Sequence, residues 1–588
     1  MLELISQFMA LMLELIAQNM APIMFISLVV FLLLGYPVAF SLAANGLVFF
    51  VLGVWLTPYA GGAFNLDWPL LGTMTQREWG VMSNETLLAI PFFTFMGIVL
   101  ERSGMAEDLL DTIGQLFGPI RGGLAYAVII VGALLAATTG VVAASVIAMG
   151  LISLPIMLRY GYDRRVASGV IAASGTLAQI IPPSLVLIVL ADQLGRSVGD
   201  MYKGAIYPAL ILTGFYMAYV LFISLWRPQW VPALPPEART LGHGVTSLFV
   251  AIVAIIGIGY GTHVLLVPTH GANADVFGAA IGIAVVYLYA LIDKTFRINL
   301  MSRLAQQVIM VLIPPLALIF LVLGTIFLGI ATPTEGGAMG AVGAMVLAAM
   351  KGRLNMTVIR QALASTTRLS SFVMFILIGA RMFSLSFYGV NGHVWVEHLL
   401  IGVPGGQTGF LIFTSLLVFF LAFFLDFFEL AFIIVPLLVA PAQTLGIDLI
   451  WFGIILGVNM QTSFMHPPFG FALFFLRSVA PKVAYTDKVT GKTMDPITTG
   501  QIYWGAVPFV VIQVVMVGVV IAFPQLVMHY KGKPVDPASI QVTLPSLPTM
   551  NAGGIGGAPV LGAPVLGAPV LGAPVLGAPK LGAPVVNP

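Results

Sequence analysis

Small polar side chains lie beside two Pro-Pro pairs that interrupt long apolar stretches of this 588-residue chain. The pairs are Pro182 with Pro183 and Pro467 with Pro468. Proline removes a backbone donor and clashes with the preceding helical turn, so each pair should open a helix and leave bare carbonyl oxygens. Two such breaks in corresponding places point to the binding site of a transporter.

Oxygen atoms near these breaks suit an alkali cation, and the exposed N-termini of half-helices suit an anion. The alternative is that the same small polar side chains only satisfy neighbouring helices. The candidate sodium or substrate ligands at the breaks are Ser174, Gly175, Thr176, Pro182, Pro183 and Ser184 in the first half, and Asn459, Thr462, Ser463, Pro467 and Pro468 in the second.

Carboxylates in apolar surroundings form a second set of candidates. Glu335 follows Thr332 and Thr334 beside a proline, and Asp426 and Glu429 interrupt another apolar run. A charge within a membrane is costly enough to indicate function by default. The alternative is that these carboxylates lie at the membrane interface or pair with a structural partner. For Glu429 the functional and the structural interpretation have equal weight. Asp426 is the leading candidate among the charged residues.

The composition identifies the class of protein that must position these residues. The chain is 59% hydrophobic and 8% charged, whereas soluble domains have about 25% charged residues. This predicts an all-α polytopic membrane protein. The net charge of +2 gives no reason to expect nucleic acid as a partner, and the lack of cysteine excludes disulfides, thiolate metal sites and cysteine nucleophiles.

Two apolar segments have the wrong length for single spans, which need about 20 residues. Residues 123–157 are divided by Thr138, Thr139 and Gly140, and residues 409–445 are divided at Asp426. Each arm has about 15 residues, or about 23 Å of helix, and this predicts two re-entrant hairpins. The tip residues Thr138, Thr139 and Gly140 therefore join the candidate sodium or substrate site.

The spacing from tip to break is nearly the same in both halves. Thr139 lies 43 residues before Pro182, and Asp426 lies 41 residues before Pro467. This similarity predicts two inverted repeats around a site near the middle of the membrane. The predicted organisation is an interfacial or extra helix at 1–20, a first repeat at 21–226 with a broken helix at 166–191, an insertion with two extra apolar segments at 227–300, a second repeat at 301–530 with a broken helix at 449–476, and a Pro/Gly-rich tail at 531–588.

Five motifs in this order resemble the large membrane subunit of TRAP (tripartite ATP-independent periplasmic) transporters over roughly residues 25 to 525. They begin at Gly35, Ala173, Thr332, Leu425 and Asn459, and read GYPVAF, ASGT followed by IPPS, TPTE, LD, and N followed by HPPFG. The resemblance implies a sodium-driven elevator that imports small organic acids such as dicarboxylates across a bacterial inner membrane. It also implies a small four-helix membrane subunit and a periplasmic solute-binding protein as partners, and no cofactor beyond sodium.

The chain also departs from the family pattern. His466 stands where a threonine commonly precedes the second Pro-Pro pair, and Phe427 and Phe428 make the second tip bulky. We expect His466 to be hydrogen-bonded beside the proline break. The insertion resembles a longer branch of the family. A stand-alone ion or anion transporter, or a channel, is the alternative function; an enzyme is not expected, since the sequence has no H-E-x-x-H, no Walker A motif and no recognisable nucleophile with its base.

Overall fold

A computed structural model of the protein describes residues 2–139, 142–241, 244–270, 274–298, 300–467, 470–487 and 489–531. The regular elements of these ranges are helices, apart from one two-stranded hairpin, β1 (Tyr485–Thr486) with β2 (Thr493–Met494). The predicted all-α fold class is thereby confirmed. Most of the predicted Pro/Gly-rich tail lies outside the described residues.

The α-helices of the described residues follow one another with short connections. In chain order they are α1 (Leu2–Gln18), α2 (Met20–Leu33), α3 (Val38–Leu56), α4 (Trp68–Leu71), α5 (Met74–Met82), α6 (Ala89–Arg102), α7 (Met105–Phe117), α8 (Gly123–Thr139), α9 (Val142–Arg159), α10 (Arg164–Thr176), α11 (Leu185–Gln193), α12 (Val198–Trp226), α13 (Val245–His270), α14 (Ala274–Phe296), α15 (Arg303–Phe327), α16 (Pro333–Met350), α17 (Met356–Gly389), α18 (Gly392–Ile401), α19 (Gly406–Leu421), α20 (Phe427–Glu429), α21 (Val435–Thr444), α22 (Leu449–Met460), α23 (Phe471–Val479), α24 (Thr499–Ala522) and α25 (Gln525–Met528). A π-helix (Leu430–Ile434) joins α20 to α21, and 3-10 turns lie at Thr57–Tyr59, Leu177–Gln179, Pro228–Trp230, Pro236–Ala238 and Gln461–Phe464.

Eight helices of the described chain are long and apolar enough to cross a membrane. Two further pairs, α1 with α2 and α18 with α19, are bent by 72° and 117° and raise the count to 10 if each pair is one span. The chain is therefore a multi-pass membrane protein. The sequence predicted about a dozen crossings or partial crossings, and the shorter helices account for that difference.

Both proline breaks fall between helices. After α10 a 3-10 turn leads to α11, where Ser184 is the N-cap and its hydroxyl accepts a hydrogen bond from Leu187 N at 3.3 Å. After α22 a second 3-10 turn is followed by a gap of six residues before α23. Prolines in these gaps lack the donors that a continuous helix would need.

Helices of the two halves interlock. Helix α3 packs along α17, α16 packs along α6, and α10 packs along α24. The last pair touches backbone to backbone, because a Cβ atom added to Gly169 would lie 2.1 Å from the carbonyl oxygen of Gly505. Such reciprocal packing is what two related halves produce. Their inverted orientation and the elevator movement stay predictions.

The predicted insertion contains α13 and α14, which pack closely on each other. Glycines permit this approach, since a Cβ atom on Gly278 would lie 2.5 Å from the carbonyl oxygen of Gly259. A small core of Ala251, Val286 and Ala290 also contacts Ile309 of α15. The rest of α13 is covered with exposed apolar side chains, as expected for a helix in lipid.

Several helices differ from the sequence prediction, including α7, α17 and α18. Helices α7 and α18 were not predicted, because each is short and carries polar residues. Helix α17 begins at Met356, whereas its apolar segment was predicted at 370–390. Arg360 and Arg368 lower the hydropathy of its first half, although they belong to the same helix.

Candidate functional site

A cavity of about 840 Å³ lies beside the second tip, between segments that flank both breaks. Its walls come from the start of α3, the start of α9, the turn between α10 and α11, one face of α17, all of α20, and both sides of the second break. Ligand sites of this volume accommodate a small organic molecule. Among the described residues that the sequence predicted for the site, only Asp426 and its neighbour Glu429 line this cavity, and the rest of the wall comes from neighbours of the tips and breaks.

Two carboxylates face this cavity at the N-terminus of α20. Asp426 and Glu429 form a reciprocal capping box: the backbone N–H of Glu429 donates to Asp426 Oδ1, and the backbone N–H of Asp426 donates to Glu429 Oε2, both at 2.8 Å. Capping boxes satisfy two helix donors at once. Both side chains are half-buried, and both line the cavity.

One guanidinium shares the cavity with these carboxylates. Arg368 lies on the face of α17 that also presents Ser371, Phe372 and Phe375 to the cavity. Within the described part of the chain it makes no ion pair with an acidic residue. Sequence analysis missed Arg368 because α17 was predicted to begin after it.

Aromatic rings make up most of the remaining wall. Phe428 meets Phe372 edge to face with ring centres 6.1 Å apart, and Phe427 lies 4.8 Å from Phe428. Phe40 of α3 meets Phe375 at 5.5 Å in the same geometry. These separations are typical of favourable aromatic pairs. The bulky second tip noted in the sequence is therefore part of a continuous aromatic surface.

The candidates of the first break are buried and mostly bonded to their own backbone. Ser174 Oγ donates to Ile171 O at 3.0 Å, and Thr176 Oγ1 donates to Ala173 O at 2.8 Å. Ser184 Oγ donates to Gln179 O, which closes the turn before the helix. Gly175 lies against Val146 of α9, where an added Cβ atom would approach Val146 Cγ2 to 2.3 Å.

Two glutamines that sequence analysis missed connect the halves. Gln461 Nε2 and Gln513 Nε2 donate to Thr176 Oγ1 at 3.1 and 3.4 Å, and Gln513 Nε2 also donates to Tyr216 OH at 2.9 Å. All four side chains are fully buried. An uncharged amide within an apolar run was the only sequence signal of this network.

The second break holds the remaining candidates in similar local bonds. Asn459 Nδ2 donates to Ser415 O of α19 at 2.6 Å. Thr462 Oγ1 donates to Asn459 O at 2.6 Å, and Ser463 Oγ donates to Met460 O at 2.7 Å. Through Asn459 the broken helix is attached to the arm that leads to the second tip.

His466 packs between two phenylalanines. Its ring stacks on Phe423 with centres 4.1 Å apart and meets Phe419 edge to face at 4.4 Å. Neither ring nitrogen has the geometry of a hydrogen bond within the described residues. An aromatic stack therefore lies between the second break and the second hairpin, and the expected hydrogen bond of His466 stays a prediction.

Thr332, Thr334 and Glu335 lie at an N-terminus that does not line the cavity. Glu335 is exposed and forms a capping box with Thr332, whose backbone N–H donates to Glu335 Oε2 at 2.8 Å. Thr334 Oγ1 donates to Glu85 O at 2.6 Å. These contacts start α16 and attach it to the segment before α6. A sodium or substrate role for the three residues stays a prediction.

Several candidates fall at or beyond the edge of what the structure describes. Gly140 and Pro468 lie outside the described residues, and the side chains of Thr138 and Thr139 are not described either. Their backbones end α8. Pro467 is described and half-buried within the second gap. The sodium ligands predicted at the first tip stay predictions.

Basic segments that connect the helices meet on one side of the molecule. Arg159 at the end of α9 pairs with Asp487 at 3.0 Å, and Arg164 at the start of α10 pairs with Asp495 at 3.1 Å. The Asp163 backbone N–H donates to the carbonyl oxygen of Trp230 at 2.9 Å. The loop after α9, the loop after α12 and the loop before α24 are therefore neighbours. Hydrogen bonds from Arg159 lower the pKa of Asp487 to about 2.

The comparison with protein families gives a match over nearly all of the membrane part. The family described as "Tripartite ATP-independent periplasmic transporter, DctM component" matches residues 25–300 and 283–526.

Individual relatives agree with this match. The C4-dicarboxylate TRAP transporter large permease protein DctM of Pseudomonas aeruginosa is 28% identical over 399 residues, which are 67% of this chain and 77% of that protein. The isethionate TRAP transporter permease protein DctMQ of Oleidesulfovibrio alaskensis is 23% identical, and the match covers 80% of this chain and 62% of that protein. The sialic acid TRAP transporter permease protein SiaT of Haemophilus influenzae is 21% identical, and the match covers 86% of this chain and 67% of that protein.

Proposed function

This chain belongs to the DctM component family of tripartite ATP-independent periplasmic transporters, and we propose that it is the large membrane subunit of a sodium-coupled importer of organic acids. The observation that carries the proposal is the cavity to which both breaks and the second tip contribute. Three relatives are named for C4-dicarboxylate, isethionate and sialic acid, which are all organic acids. Within the family frame, the cavity is where such an anion would bind.

The charges of the cavity supply a physical reason for sodium coupling. Asp426 and Glu429 carry two negative charges when ionised, against one positive charge on Arg368. An organic anion entering this space meets a net repulsion, which is strong where water is excluded. A sodium ion beside the carboxylates removes that repulsion. The cation and the anion would then bind better together than either does alone.

The proposal extends to movement and partners. Elevator transport by rigid displacement of the hairpins and broken helices would carry the cavity between the two sides of a bacterial inner membrane. The loops that hold Arg159, Arg164 and Arg227 would face the cytoplasm by the positive-inside rule. A small four-helix membrane subunit and a periplasmic solute-binding protein would complete the system and deliver the substrate.

Uptake into proteoliposomes tests this function. The large subunit is reconstituted with the small subunit and a loaded binding protein, and uptake is followed with an inward sodium gradient, with potassium in its place, and with each partner omitted. We expect uptake only when sodium gradient and both partners are present. Uptake by this chain alone, indifferent to sodium, would instead establish a stand-alone transporter or channel.

A further inference from the structure

The cavity has an unusual imbalance between apolar and charged groups for a site that would take small hydrophilic acids. Its walls carry aromatic rings from four separate elements, including Phe40 on α3, Phe375 on α17, Phe428 on α20 and Phe471 on α23. Arg368 is the single basic side chain among the lining residues. A ligand here therefore meets one cation and a broad aromatic surface.

We propose that this cavity binds a monocarboxylate with an aromatic or similarly bulky apolar body, whose carboxylate pairs with Arg368. This inference rests on the proposed function, because it takes the cavity to be the transport site. An aryl acid buries its ring among the phenylalanines, and each well-placed aromatic pair adds stabilisation beyond the burial of apolar area.

A short dicarboxylate fits these walls poorly. With its first carboxylate on Arg368, its second would lie against aromatic rings or beside Asp426 and Glu429. Burial of an ionised carboxylate without a partner is strongly unfavourable. A sodium ion there would be shared with Asp426 and Glu429, and the described lining offers no second basic side chain for the substrate. The same argument favours a single negative charge on the substrate.

Two polar groups on α17 define the orientation of such a ligand. Arg368 and Ser371 are three residues apart and so share a face. The carboxylate would lie against this face, and the ring would lie among the phenylalanines of the lining.

Direct binding to the full-length protein tests the inference. The chain is purified in nanodiscs, and equilibrium binding of phenylacetate is compared with succinate and with the neutral isostere phenylacetamide in sodium buffer. We expect phenylacetate to bind at least tenfold more tightly than either. Equal or tighter binding of succinate overturns the inference. Equal binding of phenylacetamide also overturns it, because the groove then accepts apolar molecules, such as lipid chains, without regard to charge.

A matched pair on α23 locates the binding. Phe471 lines the cavity and is 42% exposed, whereas Phe474, three residues on, is 49% exposed and is not part of the lining. Phe471→Ala should weaken phenylacetate binding at least fivefold, and Phe474→Ala should leave it unchanged. Phe375→Ala on α17 serves as a second cavity variant should Phe471→Ala fold poorly. Unchanged phenylacetate binding in both cavity variants contradicts the inference.

Transport by the complete system separates the two proposals. If the three-component system imports succinate in a sodium-dependent way while the chain does not bind phenylacetate, the substrate inference is wrong and the proposed function stands. If sodium and the partners have no effect on uptake of either acid, the proposed function is wrong and the substrate inference loses its basis.

Discussion

The two broken helices have the same spacing in the sequence but pack in different ways. In the first, Gly169 of α10 meets the backbone of Gly505, so nothing in that contact can adapt. In the second, the nearest neighbours of Gly453 on α22 are the side-chain ends of Met201 and Leu194. The first gap is closed by the hydroxyl of Ser184, whereas aromatic rings surround the second.

The two broken helices therefore contribute to the cavity in different ways. The first broken helix is held by backbone contact and buried polar bonds, which makes it the rigid side of the site. The second contributes Phe464, Phe471 and Phe475 to the cavity and so gives that part of its wall an apolar, aromatic surface. Similar spacing therefore predicted the position of each break but not its chemistry.

The largest expected effect comes from the backbone contact. A Cβ atom on Gly505 would lie 2.2 Å from the carbonyl oxygen of Arg165, so Gly505→Ala should cost about 3 kcal/mol or more in the free energy of unfolding. Gly453→Ala should cost about 1 kcal/mol, because Met201 can move. Gly518→Ala on α24, with open space around it, is the control. Thermal unfolding in nanodiscs measures all three, and a larger loss for Gly453→Ala would reverse the comparison.

Removing the charge of the second tip should have the next largest effect. Asparagine caps a helix as well as aspartate does, so Asp426→Asn keeps α20 and removes one negative charge from the cavity. We expect the sodium concentration for half-maximal uptake to rise about tenfold, which corresponds to about 1.4 kcal/mol. Asp448→Asn makes the same change at the N-cap of α22, away from the cavity. Equal sodium dependence in both variants would exclude Asp426 from the ion site.

The buried network of the first break should contribute to stability. Thr176→Val removes the oxygen that accepts hydrogen bonds from Gln461 and Gln513, and this should cost about 1–3 kcal/mol. Thr213→Val on α12 is the matched control, because Thr213 Oγ1 is bonded only to Ala209 O at 2.8 Å. Denaturation of the two variants gives the difference. A loss no larger than that of the control would mean that the halves are not joined through Thr176.

The ion pair between Arg159 and Asp487 should show the smallest effect, and only at some pH values. Because the pKa of Asp487 is lowered to about 2, its carboxylate stabilises the folded protein at pH values above about 3.9, the ordinary carboxyl pKa. That stabilisation is lost as the pH falls towards 2. Asp487→Asn should therefore flatten the acid limb of stability against pH. Asp495→Asn, at the more exposed pair, should change it little. If Asp487→Asn and the unmodified protein lose stability equally as the pH falls, Asp487 does not contribute to the pH dependence of stability.

The sequence predicted the parts of the site that have local signals. Prolines inside apolar runs indicated both breaks, and a charge inside another run indicated Asp426. The same local pattern occurs at α16, because Thr332 with Glu335 and Asp426 with Glu429 are both capping boxes. Only the second of these helix ends lies on the cavity, and sequence pattern cannot distinguish the two.

Other features depend on contacts between distant residues. Thr176 and Gln461 are 285 positions apart and meet only through the packing of the two breaks. Arg368 was hidden by the polar first half of α17, which continues the apolar second half as one helix from Met356. The aromatic surroundings of His466 come from Phe419 and Phe423, which lie more than 40 positions earlier in the chain. None of these contacts has a periodicity that sequence reading detects.

A single charge substitution tests most directly whether the cavity between the breaks is the transport site. Arg368→Gln removes a guanidinium that lines the cavity, and Arg360→Gln makes the same change eight residues earlier on α17, at a position that is also exposed and lies away from the lining. Sodium-driven uptake is measured for both in the complete reconstituted system. We predict at least a tenfold loss for Arg368→Gln and unchanged uptake for Arg360→Gln. Equal uptake by the two variants would contradict the assignment of this cavity.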